Sequence, residues 1–204
     1  MVPMTTIDSI SVGASDPTAA AAFYRAAFDL GDIVQVHRSD APTTGFRGFA
    51  VSLVVAQPAD VDLFAAAALH AGATALKPVT KGFWGYGGVV QAPDGAIWKL
   101  ATSSKKNTAP ATRQIEAMVL LLGVENVKAT KQFYLEHGMT VAKSFGSKYV
   151  EFTAGSSPIK LALYTRRAAA KDVGVPAEGT GSHRIAINGD TGGFTDPDGF
   201  VWNV

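Results

Sequence analysis

Eight residues of this 204-residue chain pair a useful side chain with a setting that could hold a ligand. Lys99 and Ile97 alternate onto one face of an extended run, and Trp98 between them points to the other. An ammonium on that face would anchor an anion or a carbonyl. Read plainly, it would reach solvent along its aliphatic stem. His183, after Gly181-Ser182, could bind a ligand or move a proton near neutral pH. Its structural alternative is a hydrogen-bonded histidine at a strand start. Ser9 and Ser11 share one face of the run 7–14 and could hydrogen-bond a ligand, but no base stands at a spacing that would make either a nucleophile. Tyr149 and Glu151 share a face opposite Val150 and Phe152, which makes Glu151 a candidate carboxylate. In Gly82-Phe83-Trp84-Gly85-Tyr86-Gly87-Gly88, aromatics on a glycine-rich segment suit a pocket rim that stacks a flat ligand. Trp84 and Tyr86 are its candidates, or else they cover a core. Asn203, one residue past Trp202, adds a polar point near the end of the sequence.

The elements that must position these residues come in two similar copies. Asp16 precedes Phe23-Tyr24 by seven residues, and Asn126 precedes Phe133-Tyr134 by seven. Pro93-Asp94-Gly95 leads to Trp98, and Pro197-Asp198-Gly199 leads to Trp202, each Gly three residues before its Trp. A period of roughly 105–110 residues exceeds solenoid repeats and indicates fused copies of one small fold. Asp16-Pro17 and Asn126 predict helix N-termini. Runs 32–38, 46–56, 74–80, 86–92 and 96–102 read as strands, with a helix from Pro58 to Gly72. In the second copy, 115–123, 140–145, 148–154, 159–165 and 183–188 read as strands. Residues 166–181 read as a loop with a helical turn over 168–171. Only Asn188–Gly193 separates the strand at 183–188 from Phe194, so the second copy has no room for the helix that Pro58–Gly72 supplies in the first. Polar 104–112 predicts a linker between domains 1–103 and 113–204. Trp98 and Trp202, equivalent by repeat, are predicted core residues.

Composition narrows the function. Apolar residues make up 47% of the chain, and 18 basic residues against 17 acidic leave a net charge of +1. The densest basic cluster is Lys105-Lys106 in the linker, so nucleic acid is not an expected partner. Without cysteine there is no disulfide, thiolate ligand or thiol nucleophile. No leader and no apolar run of about 18 residues is visible, so membrane association is not expected and a cytoplasmic location is.

The helix-capping Asp16 and Asn126, the Phe-Tyr pairs and the two Pro-Asp-Gly turns resemble the vicinal oxygen chelate superfamily, the glyoxalase / bleomycin resistance / dioxygenase group. The resemblance spans nearly everything outside the linker. It implies an α+β fold of two tandem glyoxalase-like domains, the second shortened. Each would be a pair of βαβββ modules that curl a mixed sheet into a cup. The group's enzymes hold a divalent metal there, with a histidine seven residues before the capping residue and a carboxylate four after the turn glycine. In this chain those positions are Ser9 and Val119, then Lys99 and Asn203. A further carboxylate position falls near Leu161 or Leu163, and only His183 looks like a retained ligand. One imidazole does not hold a metal. An ammonium about 4 Å from a dication would repel it by roughly 8 kcal/mol at an effective dielectric of 20. The resemblance therefore implies a member that uses no metal or other cofactor and binds a small, partly apolar molecule in its cup. Its rival is a glyoxalase-type lyase or isomerase, or an extradiol-type dioxygenase, with a metal-independent site or one rearranged around His183, Glu151 and Glu178. A third reading is an interaction module whose cups are filled by side chains. Homodimerisation is expected if the missing helix leaves sheet exposed.

Overall fold

The computed structural model describes residues 5–190 and 192–204. In chain order the elements are β1 (Ile7–Ala14), α1 (Pro17–Ala27), β2 (Val34–Arg38), β3 (Thr43–Gly45), β4 (Phe49–Val54), α2 (Pro58–His70), β5 (Thr74–Gly82), β6 (Gly85–Gln91) and β7 (Ile97–Thr102). The second half continues with β8 (Ala117–Val124), α3 (Val127–Glu136), β9 (Val141–Phe145), β10 (Tyr149–Phe152), β11 (Ile159–Thr165), α4 (Arg166–Val173), β12 (Gly179–Gly181), β13 (Ile185–Gly189), β14 (Phe194–Thr195) and β15 (Val201–Asn203). The fold is α+β.

Local chemistry sets the helix starts. The Asp16 carboxylate accepts from the Ala19 amide at 3.0 Å, with Pro17 in the first turn. The Asn126 side-chain oxygen accepts from Lys128 and Ala129, each at 3.1 Å. The apolar faces of α1, α2 and α3 and the back faces of both main sheets share one core, which includes Ile10, Val51, Trp98, Leu122, Ile187 and Trp202. The recurring motifs lie in it as braces. The Tyr24 hydroxyl donates to Asp94 and the Tyr134 hydroxyl to Asp196, both at 2.6 Å. The turn aspartate of the second copy, Asp198, instead accepts from the Glu125 amide and the Thr130 hydroxyl at 2.6 Å.

Strand pairing differs from the expected division into domains 1–103 and 113–204. The large sheet runs β5-β6-β7-β4-β8-β11-β10-β9 and the smaller one β14-β15-β13-β1-β2, so each takes strands from both halves. At the centre of the large sheet β4 and β8 pair antiparallel, and in the small sheet β1 pairs antiparallel with β13. The second module thus pairs with the third, and the first with the last. The physical reason is edge satisfaction: β4 and β8 each leave a hydrogen-bonding edge that the other fills, across a linker that long-range pairing tolerates. That linker is bound down. Gln57 accepts from the Thr108 and Ala109 amides at 2.8 and 3.1 Å, and Asp60 from Thr112 at 2.7 Å.

Two further expectations change. Residues 166–173 form a full helix rather than one turn in a loop. Thr165 caps its start, accepting from the Ala168 amide at 3.3 Å, and Gly174 ends it at φ 80°, a left-handed conformation that suits glycine. Among the described residues, the sheet of the last module keeps its largest apolar side chains covered without that helix, with Val201 alone 42% exposed on β15. Ile187 and Trp202 are buried, and Phe194 packs against Phe133 of α3 with ring centroids 5.6 Å apart. The reason given for homodimerisation is therefore met from within the chain.

Candidate binding site

The concave face of the large sheet is built from residues that alternate with the core set. Cross-strand register places Lys99 beside Ser52, Ser52 beside Val119, and Val119 beside Lys160. This row crosses the floor of the cup. The small sheet has the corresponding row, in which Ser9 faces Asn188 and Asn188 faces Asn203. Two positions expected in different cups, Lys99 and Val119, share one floor, and Ser9 and Asn203 share the other. The fourth floor position of the large sheet is Lys160, not Leu161 or Leu163, which face the core.

A helix lies across the large cup. Ala169, Ala170 and Val173 of α4 pack on Ala50, Val89, Ile97 and Phe46 in a second, separate apolar cluster. Close approach needs Gly123 on β8, because a Cβ there would stand 3.0 Å from the Ala169 Cβ and 3.1 Å from the Arg166 Cα. Asp172 of α4 accepts from the Lys99 ammonium at 2.8 and 3.0 Å, and both side chains are 30% exposed. The Lys77 ammonium donates to the Lys171 and Asp172 carbonyls at 3.0 and 2.6 Å. A cation at the last carbonyls of a helix also meets the negative end of its dipole. Lys99 is thus neither a solvent-reaching lysine nor a free anchor. Its partner lies 73 residues away on a segment that reads as loop.

Between α4, the floor and the β5–β6 hairpin lies a cavity of about 310 Å³. Lys77, Lys99 and Asp172 line it, Gly87, Gly88 and Val89 form part of its wall, and Phe83 and Trp84 its rim. Trp84 is 87% exposed and Phe83 81%, their rings edge-to-face at 4.8 Å. Trp84 and Lys99 therefore line the same cavity. Tyr86 lines the same cavity, but its hydroxyl is committed to Asp62 of α2 at 2.7 Å, a bond that raises its pKa.

Glu151 lies on the concave face of the other arm of the large sheet, where its carboxylate accepts from the Tyr149 hydroxyl at 2.7 Å. Burial and then that bond hold the Tyr149 phenol well above its usual range. Tyr164 packs on Tyr149 at 4.8 Å, its pKa raised by burial and by the Asp172 and Glu151 carboxylates. His183 is in neither cup. Its Nδ1 lies 2.6 Å from the Arg47 carbonyl, its Nε2 lies 2.9 Å from the Asp198 carbonyl, and the ring stacks on Phe200 at 3.9 Å. This is a clasp between two chain segments. In the small sheet the Asn188 amide donates to the Ser9 and Ser11 hydroxyls at 2.9 and 3.0 Å, and Gln35 donates to Ser9 at 3.3 Å. Asn203 is exposed at the end of that row.

The floor of the large cup does not fit a divalent metal. Its row offers two ammoniums, a hydroxyl and an isopropyl group, and the row of the small sheet offers neutral amides and a hydroxyl. Among the described residues, no three histidine or carboxylate side chains converge. Sequence reasoning missed Asp172, Lys77, Ser52, Lys160 and Asn188. Lys77 and Lys160 carried a strand signal, but Asp172 carried none.

No protein-family model matches the sequence, and no curated protein matches it. Solved structures do resemble it. Glyoxalase I from Zea mays superposes with a TM-score of 0.61 at 14% identity, covering 97% of this chain and 91% of that one. A putative dioxygenase from Bacillus subtilis gives 0.59 at 13% identity, covering 92% of this chain and 71% of that one. The fold is the glyoxalase fold. The likeness extends over nearly the whole chain, as the two repeated motifs implied. At such identities it speaks for the fold, and the glyoxalase-fold cup of this chain has to be read from its own side chains. Among the described residues, no helix is long and apolar enough to cross a membrane.

Proposed function

We propose that this chain is a metal-independent, cytoplasmic binding protein of glyoxalase fold that takes up a small, flat, partly apolar molecule. One observation carries this reading: the cavity at the β5–β6 hairpin. Two bare aromatic rings rim it, backbone and small side chains wall it, and the Lys99–Asp172 ion pair lines it. Concave, mostly apolar sites with few polar groups suit small ligands, and an exposed indole over a glycine-rich wall suits a planar ring. Sequestration needs no reacting group, and the floor presents none at the positions where the superfamily's enzymes hold a metal. Ser9, Ser11 and Asn203 lie on the other sheet and take no part in this site.

Tryptophan emission tests the proposal, because Trp98 and Trp202 are buried and only Trp84 is exposed. Titration with 2-naphthol, a neutral planar probe, is expected to change the emission saturably. Trp84→Ala should abolish the change while altering stability by less than about 0.5 kcal/mol. A folded protein that shows no saturable response sinks the reading. So does stoichiometric nickel or zinc in purified protein accompanied by turnover of a hemithioacetal.

A further inference from the structure

Resting on that cavity as the binding site, we infer that its ligand is a planar anion, such as an aromatic carboxylate, held by the Lys77 and Lys99 ammoniums while its ring meets Trp84. Donors and charges at the two lysines favour an anion. An ammonium has three N–H donors and accepts nothing. Lys99 gives two to the Asp172 oxygens, and Lys77 gives two to the last carbonyls of α4. Each lysine keeps one donor in reserve, and both line the cavity. The lining residues hold two lysines against one aspartate, a net charge of +1. The negative end of the α4 dipole offsets about half a charge, which leaves an excess of positive potential. The rim adds to it, since Lys81 is exposed and the Lys105 ammonium stands 5.9 Å from the Phe83 ring. A cation would meet two ammoniums in the lining, and a neutral ring would leave their free N–H groups unanswered. A carboxylate answers both with charge-assisted hydrogen bonds. Asp172 then tunes affinity by occupying donors that the ligand would otherwise take.

The test compares 2-naphthoate, 2-naphthol and 2-naphthylmethylamine on the full chain at pH 7, read by Trp84 emission and by calorimetry. Naphthoate is expected to bind about tenfold tighter than naphthol, with the amine weakest. Lys77→Met should remove most of that preference and Lys77→Arg restore it. Asp172→Asn, which frees the Lys99 donors, should tighten naphthoate several-fold. A purely structural role for these side chains predicts instead that Lys77→Met and Asp172→Asn both weaken all three probes alike. That result overturns the inference. Equal affinity for the three probes also overturns it while leaving the cavity as a ring-binding site. Silence from all three in a folded protein overturns the cavity reading as well.

Discussion

The two sheets are built by the same motifs and end as different surfaces. Each has a helix-borne tyrosine bonded to an aspartate, a turn glycine three residues before a buried tryptophan, and a row of equivalent floor positions. In the large sheet that row carries two lysines, and α4 lies across it on a small apolar cluster. In the small sheet the row is Asn203, Asn188 and Ser9, with the amide and hydroxyls bonded mainly to each other. The difference separates scaffold from site. The repeated residues make the sheet, and residues outside the repeat complete the cavity over the Lys99 row. Asp172 and the hairpin tip at Trp84 have no repeat partner, and the proposed site rests on them.

The comparison breaks most visibly at Ala170, which is 1% exposed on the buried face of α4. Ala170→Glu would bury an unpaired carboxylate and should cost about 3–5 kcal/mol in urea unfolding. The control lies on the small sheet. Ala186→Glu, on its polar face, should cost below about 1 kcal/mol. Equal costs would mean that α4 is not a fixed roof. A smaller effect separates the two polar rows. A double-mutant cycle of Lys99→Met with Asp172→Asn should give a coupling of roughly 1–2 kcal/mol that falls in 0.5 M salt. The cycle of Ser9→Ala with Asn188→Ala should give about 0.5–1.5 kcal/mol, insensitive to salt. Salt-independent coupling at Lys99 would contradict the charge argument for the cavity.

The smallest expected effect concerns the brace under the small sheet. Burial outweighs the hydrogen bonds from Tyr134, Phe200 and Asp198 and lifts the Asp196 carboxyl above the ordinary value of 3.8. The folded chain therefore binds this proton more tightly than the unfolded chain. The resulting stabilisation is full below the ordinary aspartate value and is lost as pH rises through the raised one. Asp196→Asn removes that dependence. The stability of the wild type minus that of the variant should shrink as pH rises from about 3.5 to 6, as read by thermal melts. A difference that grows over that range would show the hydrogen bonds to be the stronger influence.

Sequence reading went furthest where the physics is local. The Asp16 and Asn126 caps act within three residues, and the turn before Trp98 is set by its own Pro-Asp-Gly. Strand alternation told correctly that Trp98 faces the core and Lys99 the cup, and that Val150 and Phe152 lie opposite Glu151. It left two readings open at His183, and the structure takes the hydrogen-bonded one, with the ring bonded to the Arg47 carbonyl 136 residues away; it gave no sign that Asp62 takes the Tyr86 hydroxyl. Neither partner leaves a mark near the residue it holds.

The chain by itself determined its modules, their caps, the faces of their strands and the fold they belong to, because each follows from spacing over a few residues. Only the tertiary structure decided which modules pair, that 166–173 becomes a helix lying in the cup, and that Lys99 meets Asp172 there. Those outcomes depend on which edges and apolar faces find each other across more than seventy residues, and such a choice is settled by the packing of the whole rather than by the pattern of any part.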